Sequence, residues 1–387
     1  MKQNHFEYII AGAGAAGLSL LWHLLQSPLG TKPILVADRN LSNPPNKTWS
    51  FWDDRHPFME LTERSWNKLA VRSAGERFQE TLKSMRYHAI RSDRYHKTVL
   101  ELARKHPSVT LLEADILELS CRAGRAQVKT SVGEYSGTWM FQSIIPPKTG
   151  RCDNSLIQHF TGFDIRTEKP LFDPDVATIM DFDTVQRDGL TFFYLLPFTE
   201  KEALVEYTLF SPQRLERSQY EMAIERYLRD RFQLNPNDYT ITRKESGEIP
   251  MEDRRYPLRH NRRTWNIGTA GGLTKGSTGY TFTRIHRHSR EIIRSLTKTG
   301  KPPRKKGEST YRFRVYDMMI LYLMQHEQQN AREIFHELFR KNSIERVLEF
   351  LDEKTRFSQE VALFSTLPWN PFFRSIWKMK HRILTGG

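Results

Sequence analysis

Phe6-Glu7-Tyr8-Ile9-Ile10-Ala11-Gly12-Ala13-Gly14-Ala15-Ala16-Gly17-Leu18 is the stretch on which the fold turns. Phe6 to Ala11 is a short apolar run that reads as a buried parallel strand. Leu18 to Leu25 then reads as a helix, and Pro33 to Asp38, with Ile34, Leu35 and Val36, as a second strand. Strand, glycine-rich turn, helix and strand make a right-handed βαβ unit. Within it Gly12, Gly14 and Gly17 form G-x-G-x-x-G. The first glycine permits the tight turn, the second lets a pyrophosphate approach the backbone, and the third lets helix and strand pack closely. The helix N-terminus offers free N–H groups and a positive dipole end to phosphates. Asp38 closes the second strand, where a carboxylate can hydrogen-bond a ribose hydroxyl. An acid there argues against a 2′-phosphate and leaves FAD or NAD.

A second glycine-rich segment favours FAD. It runs Ile267-Gly268-Thr269-Ala270-Gly271-Gly272, then Gly276-Ser277-Thr278-Gly279-Tyr280, and opens a long helix from about Thr281 to Thr297. Gly271, Gly272, Thr278 and Gly279 are therefore candidate cofactor contacts. A helix N-terminus aimed at the flavin pyrimidine would stabilise the negative charge that appears on reduction. An ordinary glycine-rich loop is the plain alternative. Arg94, with Arg91, stands at the start of a helix read over Asp93 to His106 and is a candidate contact to the flavin or its phosphates. A solvated helix start would explain it as well.

The chain has 387 residues, enough for one large or two interleaved domains with a real core. No stretch approaches about eighteen uncharged apolar residues, so no membrane-spanning helix is expected. Met1 to His5 run straight into the first strand, and no signal peptide is expected. Two cysteines, Cys121 and Cys152, are too few for a disulfide framework and fit a reducing cytoplasm. No metal site is expected. The net charge of +14 suits nucleic acid or an anionic membrane leaflet equally, and no nucleic-acid motif is present.

Residues 41–60 read as a loop carrying Trp49, Phe51 and Trp52. Strands are expected at Val109 to Leu119, Gln127 to Val132, Leu190 to Leu196 and Ala203 to Phe210, and a helix at Gln219 to Phe232. A basic, breaker-rich linker, Lys301-Pro302-Pro303-Arg304-Lys305-Lys306-Gly307, precedes a helical region to about Leu363. The expected fold class is α/β: an FAD-binding Rossmann-like domain of the glutathione-reductase/hydroxylase type, an inserted antiparallel-sheet substrate domain and a helical C-terminal cap. The expected division is 1–300, with the insertion at roughly 41–90 and 150–250, and 301–387.

Glu206 is the one charged residue between Glu202 and Arg214. Strand alternation puts it on a face with Leu204, Thr208 and Phe210, and Ala203, Val205, Tyr207 and Leu209 on the other. Both faces look covered, so the carboxyl is expected to be desolvated and its pKa raised. A carboxyl protonated near neutral pH is what a general acid needs. A strand-edge glutamate or a buried salt bridge is the bland reading.

Four stretches resemble the flavin-dependent lycopene β-cyclases of bacteria. They are Gly12 to Leu18; Lys47-Thr48-Trp49-Ser50-Phe51-Trp52; Leu204-Val205-Glu206-Tyr207-Thr208; and Ala270-Gly271-Gly272 with Thr278-Gly279-Tyr280. Phe313-Arg314-Val315-Tyr316-Asp317 and Phe350-Leu351-Asp352-Glu353 have the same look. Two positions depart from the pattern: Tyr207 stands where the family often has a second acid, and Gly268-Thr269 where related hydroxylases have Gly-Asp. The resemblance implies ring closure at the linear ends of lycopene to give β-rings (γ-carotene, then β-carotene), without net redox but with reduced FAD. NAD(P)H is the implied electron source. Glu206 would donate the proton, and Trp49, Trp52, Tyr207 and Tyr280 would line the polyene channel.

Lycopene lives in the bilayer, so peripheral attachment to the inner face of the cell membrane is expected. The segments Met318 to Met324 and Glu333 to Phe339, the aromatic and basic tail Leu367 to Lys378, and Lys301 to Lys306 are the candidate contacts. The rival function is an FAD-dependent oxidoreductase, a hydroxylase or prenyl-chain reductase, on a lipophilic substrate. It would consume NADPH in step with product.

Overall fold

A computed structural model of the chain describes residues 5–53, 55–144, 151–304 and 309–384. The βαβ unit is present as strand His5–Ala11, helix Ala15–Leu25 and strand Ile34–Asp38. The two strands pair in parallel, with Ile9 opposite Leu35 and Ile10 opposite Val36. Val109–Glu113 joins beyond the second strand, and Gly133–Gln142 and Thr264–Asn266 join beyond the first, all in parallel. One face of this sheet presents Tyr8, Ile10 and Val36 to the helices Ala15–Leu25, Ser92–Lys105 and Phe282–Thr299. The other presents Phe6, Ile9 and Leu35 to the hairpin Ile116–Arg122 and Arg125–Thr130, through Ala126 and Val128. Burial on both sides explains why the first strand reads as a continuous apolar run.

The second layer is a seven-stranded sheet that runs from the edge strand Tyr239–Glu252 through Ser155–Thr167, Glu202–Ser211, Leu190–Pro197 and Val176–Asp181 to Lys68–Ser73 and Glu76–Thr81. One face packs Phe163, Phe193, Val205 and Leu209 against Ile224 and Leu228 of the helix Arg217–Phe232. The other packs Phe192, Leu204 and Phe210 against Met318, Leu321 and Phe335 of the C-terminal helices. A three-stranded sheet, Thr48–Phe51, Tyr87–Arg91 and Thr62–Trp66, bridges the two layers.

Some expectations change. The loop expected over 41–60 contains the strand Thr48–Phe51, which pairs antiparallel with Tyr87–Arg91; Pro44 and Pro45 mask it in the sequence. Val109 to Leu119 is two strands, because the chain leaves the parallel sheet at Ala114 and turns into the hairpin. The C-terminal region is helical as expected, through Tyr311–His326, Gln328–Lys341, Ile344–Leu351 and Phe357–Phe364, and the tail adds Trp369–Leu384. Met318, Leu321, Met324, Phe335 and Phe339 are buried in the core, so those two segments are not outward-facing membrane contacts. Lys305, Lys306 and Gly307 of the basic linker lie outside the described residues. Among the described residues no helix is long and apolar enough to cross a membrane.

Candidate active site

Glu202–Ser211 lies between Ser155–Thr167 and Leu190–Pro197, and every residue from Ala203 to Ser211 is buried. Alternation places Glu206 on the face covered by the C-terminal helices. Its residue exposure is 8%, and its Oε1 accepts a hydrogen bond from the Thr208 hydroxyl at 3.0 Å. Burial pushes this carboxyl well above its ordinary range, and the neighbouring Glu245 pushes the same way; Thr208, Arg243 and Lys47 pull against them and lose.

Glu206 lines a pocket of about 310 Å³. The same pocket reaches Ala15 of the first glycine motif and Thr269, Thr278 and Gly279 of the second glycine-rich segment. The carboxyl therefore opens into the cavity that the dinucleotide motif borders. Aromatic side chains make up much of the wall: Trp49, Tyr87, Phe160, Tyr194, Tyr280 and Phe282. The hydroxyls of Tyr194 and Tyr280 lie 3.5 Å apart. Burial, the largest influence on Tyr87 and Tyr194, holds both phenols well above their usual value, so they stay neutral.

The glycine motif fits a dinucleotide. Gly12 has a φ of +100°, a backbone shape that favours glycine. A Cβ on Gly17 would stand 1.9 Å from the Gly12 carbonyl oxygen, so this glycine lets helix and strand touch. A Cβ on Gly14 would meet nothing within 4 Å, which leaves the helix N-terminus open for a ligand. Asp38 sits at the strand end beside the turn and accepts the Ala13 N–H at 2.7 Å. In the second segment the buried Thr278 hydroxyl has no hydrogen-bond partner among the described residues and lines the pocket. Gly271 and Gly272 pack behind the loop, where a Cβ would meet the Asn266 carbonyl at 2.6 Å or Tyr256 at 3.0 Å.

Other candidates fall elsewhere. Trp49 and Tyr280 line the pocket; Trp52 stands behind it, its ring edge-on to Tyr280 at 4.5 Å. Tyr207 does not reach it. Its side chain projects to the opposite face, into the cluster under Arg217–Phe232, as alternation along the strand requires. Arg94 is not brought to the pocket either. Its helix turns Tyr95 and Val99 inward, and the Arg94 guanidinium is 57% exposed and pairs with Glu63 at 2.7 Å. Arg91 instead holds Thr48 Oγ1 at 2.6 Å and Asp164 at 2.7 Å.

A family profile described as Lycopene cyclase protein matches residues 7–377. This chain belongs to the lycopene cyclase family. No curated protein matches it. Among solved structures, a geranylgeranyl bacteriochlorophyll reductase-like protein from Thermoplasma acidophilum is 9% identical, with a TM-score of 0.63 over 98% of this chain and 99% of that one. The p-nitrophenol 4-monooxygenase PnpA from Pseudomonas putida is 12% identical, with a TM-score of 0.59 over 96% and 99%. A variant of the halogenase PltM in complex with FAD is 12% identical, with a TM-score of 0.62 over 90% and 82%. These likenesses concern the fold, which this chain shares with the reductase-like protein, the monooxygenase and the halogenase.

Two features of this family member escape a reading of the sequence alone. Phe313 to Asp317 and Phe350 to Glu353 meet at the glycine-rich loop: the buried Lys275 ammonium donates to Asp317 at 2.8 Å and to Glu353 at 3.1 Å. The other is Glu245, a second buried acid beside Glu206. Both arise from contacts between distant segments, which local patterning does not encode.

Proposed function

We propose that this chain converts the linear ends of lycopene to β-ionone rings by proton-initiated cyclisation without net redox, on an FAD-loaded protein. The supporting observation is that the buried Glu206, whose carboxyl burial holds well above its ordinary range, lines the same pocket as both glycine-rich segments. Gly12, Gly14, Gly17 and Asp38 would hold the adenosine and pyrophosphate portion, and Thr278 and Gly279 the flavin end. When bound, the reduced isoalloxazine supplies negative charge beside a cationic reaction. NAD(P)H is the proposed source of electrons.

Glu206 gives its proton to C2 of the terminal C1=C2 alkene, leaving a tertiary cation at C1. The C5=C6 alkene attacks, forming the C1–C6 bond and moving the cation to C5. Loss of the C6 proton to the Glu206 carboxylate gives the ring, and protons and electrons balance. The faces of Trp49, Tyr87, Tyr194 and Tyr280 stabilise the passing cation. The apolar wall keeps out water that would capture the cation as an alcohol. A pocket of about 310 Å³ suits one chain end at a time.

The substrate is membrane-dissolved, and the proposed contact is the tail helix Trp369–Leu384. It exposes Trp369, Phe373, Ile376 and Trp377 beside Arg374, Lys378 and Lys380. The proposed location is the inner face of the cell membrane.

The test is expression in a lycopene-accumulating bacterium, with pigments read by chromatography. Bicyclic β-carotene, or γ-carotene on the way to it, is expected. Glu206→Gln should keep FAD and lower cyclisation by about 10²- to 10⁴-fold, the usual range for a general acid. A flavin-loaded Glu206→Gln protein that cyclises at the normal rate overturns the reading.

A further inference from the structure

The proposed chemistry asks Glu206 to keep a proton near neutral pH and then to take one back. Its own strand places no second acid beside it, because any residue at position 207 points to the other face and Glu202 lies four residues away. The neighbouring strands do. Gly162 pairs with Glu206 on one side and with Glu245 on the other, so the three lie in one row across the sheet. Residues directly opposite in a ladder share a face, and both carboxyls therefore project to the same side. The residue between them has no side chain. A Cβ on Gly162 would lie 3.2 Å from Glu206 Cβ and 3.3 Å from Glu245 Cγ.

Glu245 is built into place. Its side chain is 1% exposed, and its Oε2 accepts from Arg243 at 2.8 Å and from the Thr48 N–H at 2.6 Å. Its Oε1 is buried without a hydrogen-bond partner among the described residues. Arg243 is itself gripped by Asp164 at 2.7 Å, and Asp164 by Arg91 at 2.7 Å. The other charged or titratable groups facing Glu206 are Lys47, Glu248, Tyr87, Tyr194 and Tyr280.

We infer that Glu245 is the positioning partner of Glu206: an anionic neighbour across Gly162 that keeps the proton on Glu206 before reaction and drives its recapture afterwards. The inference rests on the proposed function above. The physics is like-charge repulsion in a dry site. Two buried carboxylates close together do not both ionise readily. Glu245 stands next after burial among the influences that raise Glu206. Once Glu206 has given its proton to C2 it faces a second negative charge at close range. The C6 proton then relieves that repulsion. The proton added is matched by the proton lost, and Glu245 exchanges none.

The experiment compares wild type, Glu206→Gln, Glu245→Gln and Glu245→Asp, each FAD-loaded. Infrared titration follows the protonated-carboxyl stretch that disappears in Glu206→Gln, and pigment assays give the pH profile of cyclisation. Removing the charge in Glu245→Gln should lower the Glu206 midpoint by about one pH unit or more. The alkaline limb of cyclisation should move down with it, and Glu245→Asp should restore most of the shift. A midpoint and limb unmoved by Glu245→Gln overturn the inference. Should that variant not fold, Glu245→Asp is read in its place, and a Glu206 midpoint and alkaline limb identical to wild type overturn the inference equally. Full cyclisation by Glu206→Gln would sink the proposed function, whereas an inactive Glu206→Gln beside an unmoved Glu245→Gln sinks this inference alone.

Discussion

At the scale of single residues, the glycines of the first motif divide into those that serve packing and one that serves a ligand. Gly17 stands against the Gly12 carbonyl and Ile10, so Gly17→Ala must push the motif helix off its strand. Overpacking of this kind costs about 1–3 kcal/mol or more. Gly14 faces open space at the helix N-terminus, and its φ of −70° suits alanine. Gly14→Ala should therefore melt within about 0.5 kcal/mol of wild type, as surface changes do, yet lose flavin because its methyl would occupy the proposed pyrophosphate position. Thermal melts and the flavin absorbance of the purified proteins separate the two. A Gly14→Ala protein with a full complement of flavin would remove the phosphate from that position.

At the scale of elements, legibility followed how local the signal was. The strand Glu202–Ser211 is readable because Ala203 to Phe210 is a near-continuous apolar run with a single charged residue in it. The strands Ser155–Thr167 and Tyr239–Glu252, which bring Gly162 and Glu245 to Glu206, were not recognised: the second is largely polar and half exposed along its length. The tail was read for its composition, but only the helix decides which residues face out. Trp369, Phe373 and Trp377 recur at four-residue spacing on one exposed face, with Trp377 69% and Phe373 59% exposed, while Phe372 and Met379 pack inward. Phe373→Ser with Trp377→Ser should lower binding to anionic vesicles about tenfold or more, since even partial burial of two aromatics is worth over about 1.4 kcal/mol. The fold should be unaffected, because neither side chain belongs to the core cluster. Vesicle co-sedimentation measures it, and equal sedimentation of the two proteins would release the tail from this role.

At the scale of the whole molecule, buried polar groups join segments far apart in the chain, and these contacts are what a sequence pattern carries least. Lys275 ties the glycine-rich loop to two C-terminal elements through Asp317 and Glu353. His23, His56 and His286 likewise come from the motif helix, a loop and the helix Phe282–Thr299. Their rings pack together, with His286 at 5.6 Å from His23 and 4.2 Å from His56 between centroids. Burial lowers His23 to about 4 and His56 to about 3, and Arg290 adds to both. His286 is also held well below its ordinary value, by burial and then by the other two rings. All three are therefore neutral in the folded protein and readily protonated once it opens. Between the folded values and about 6.5 the unfolded chain binds more protons, so stability rises with pH across that window. It is fully present above about pH 6.5 and is lost as pH falls, at up to about 1.4 kcal/mol per pH unit for each ring. The melting temperature should hold level down to about pH 7 and drop steeply between about pH 6 and pH 5, before ordinary carboxylates begin to protonate. Flavin should be released over the same interval, because the motif helix is one wall of the cluster. Melts and flavin fluorescence across that range measure both, and a melting temperature that stays flat to pH 5 would mean that these rings are not held neutral in the fold.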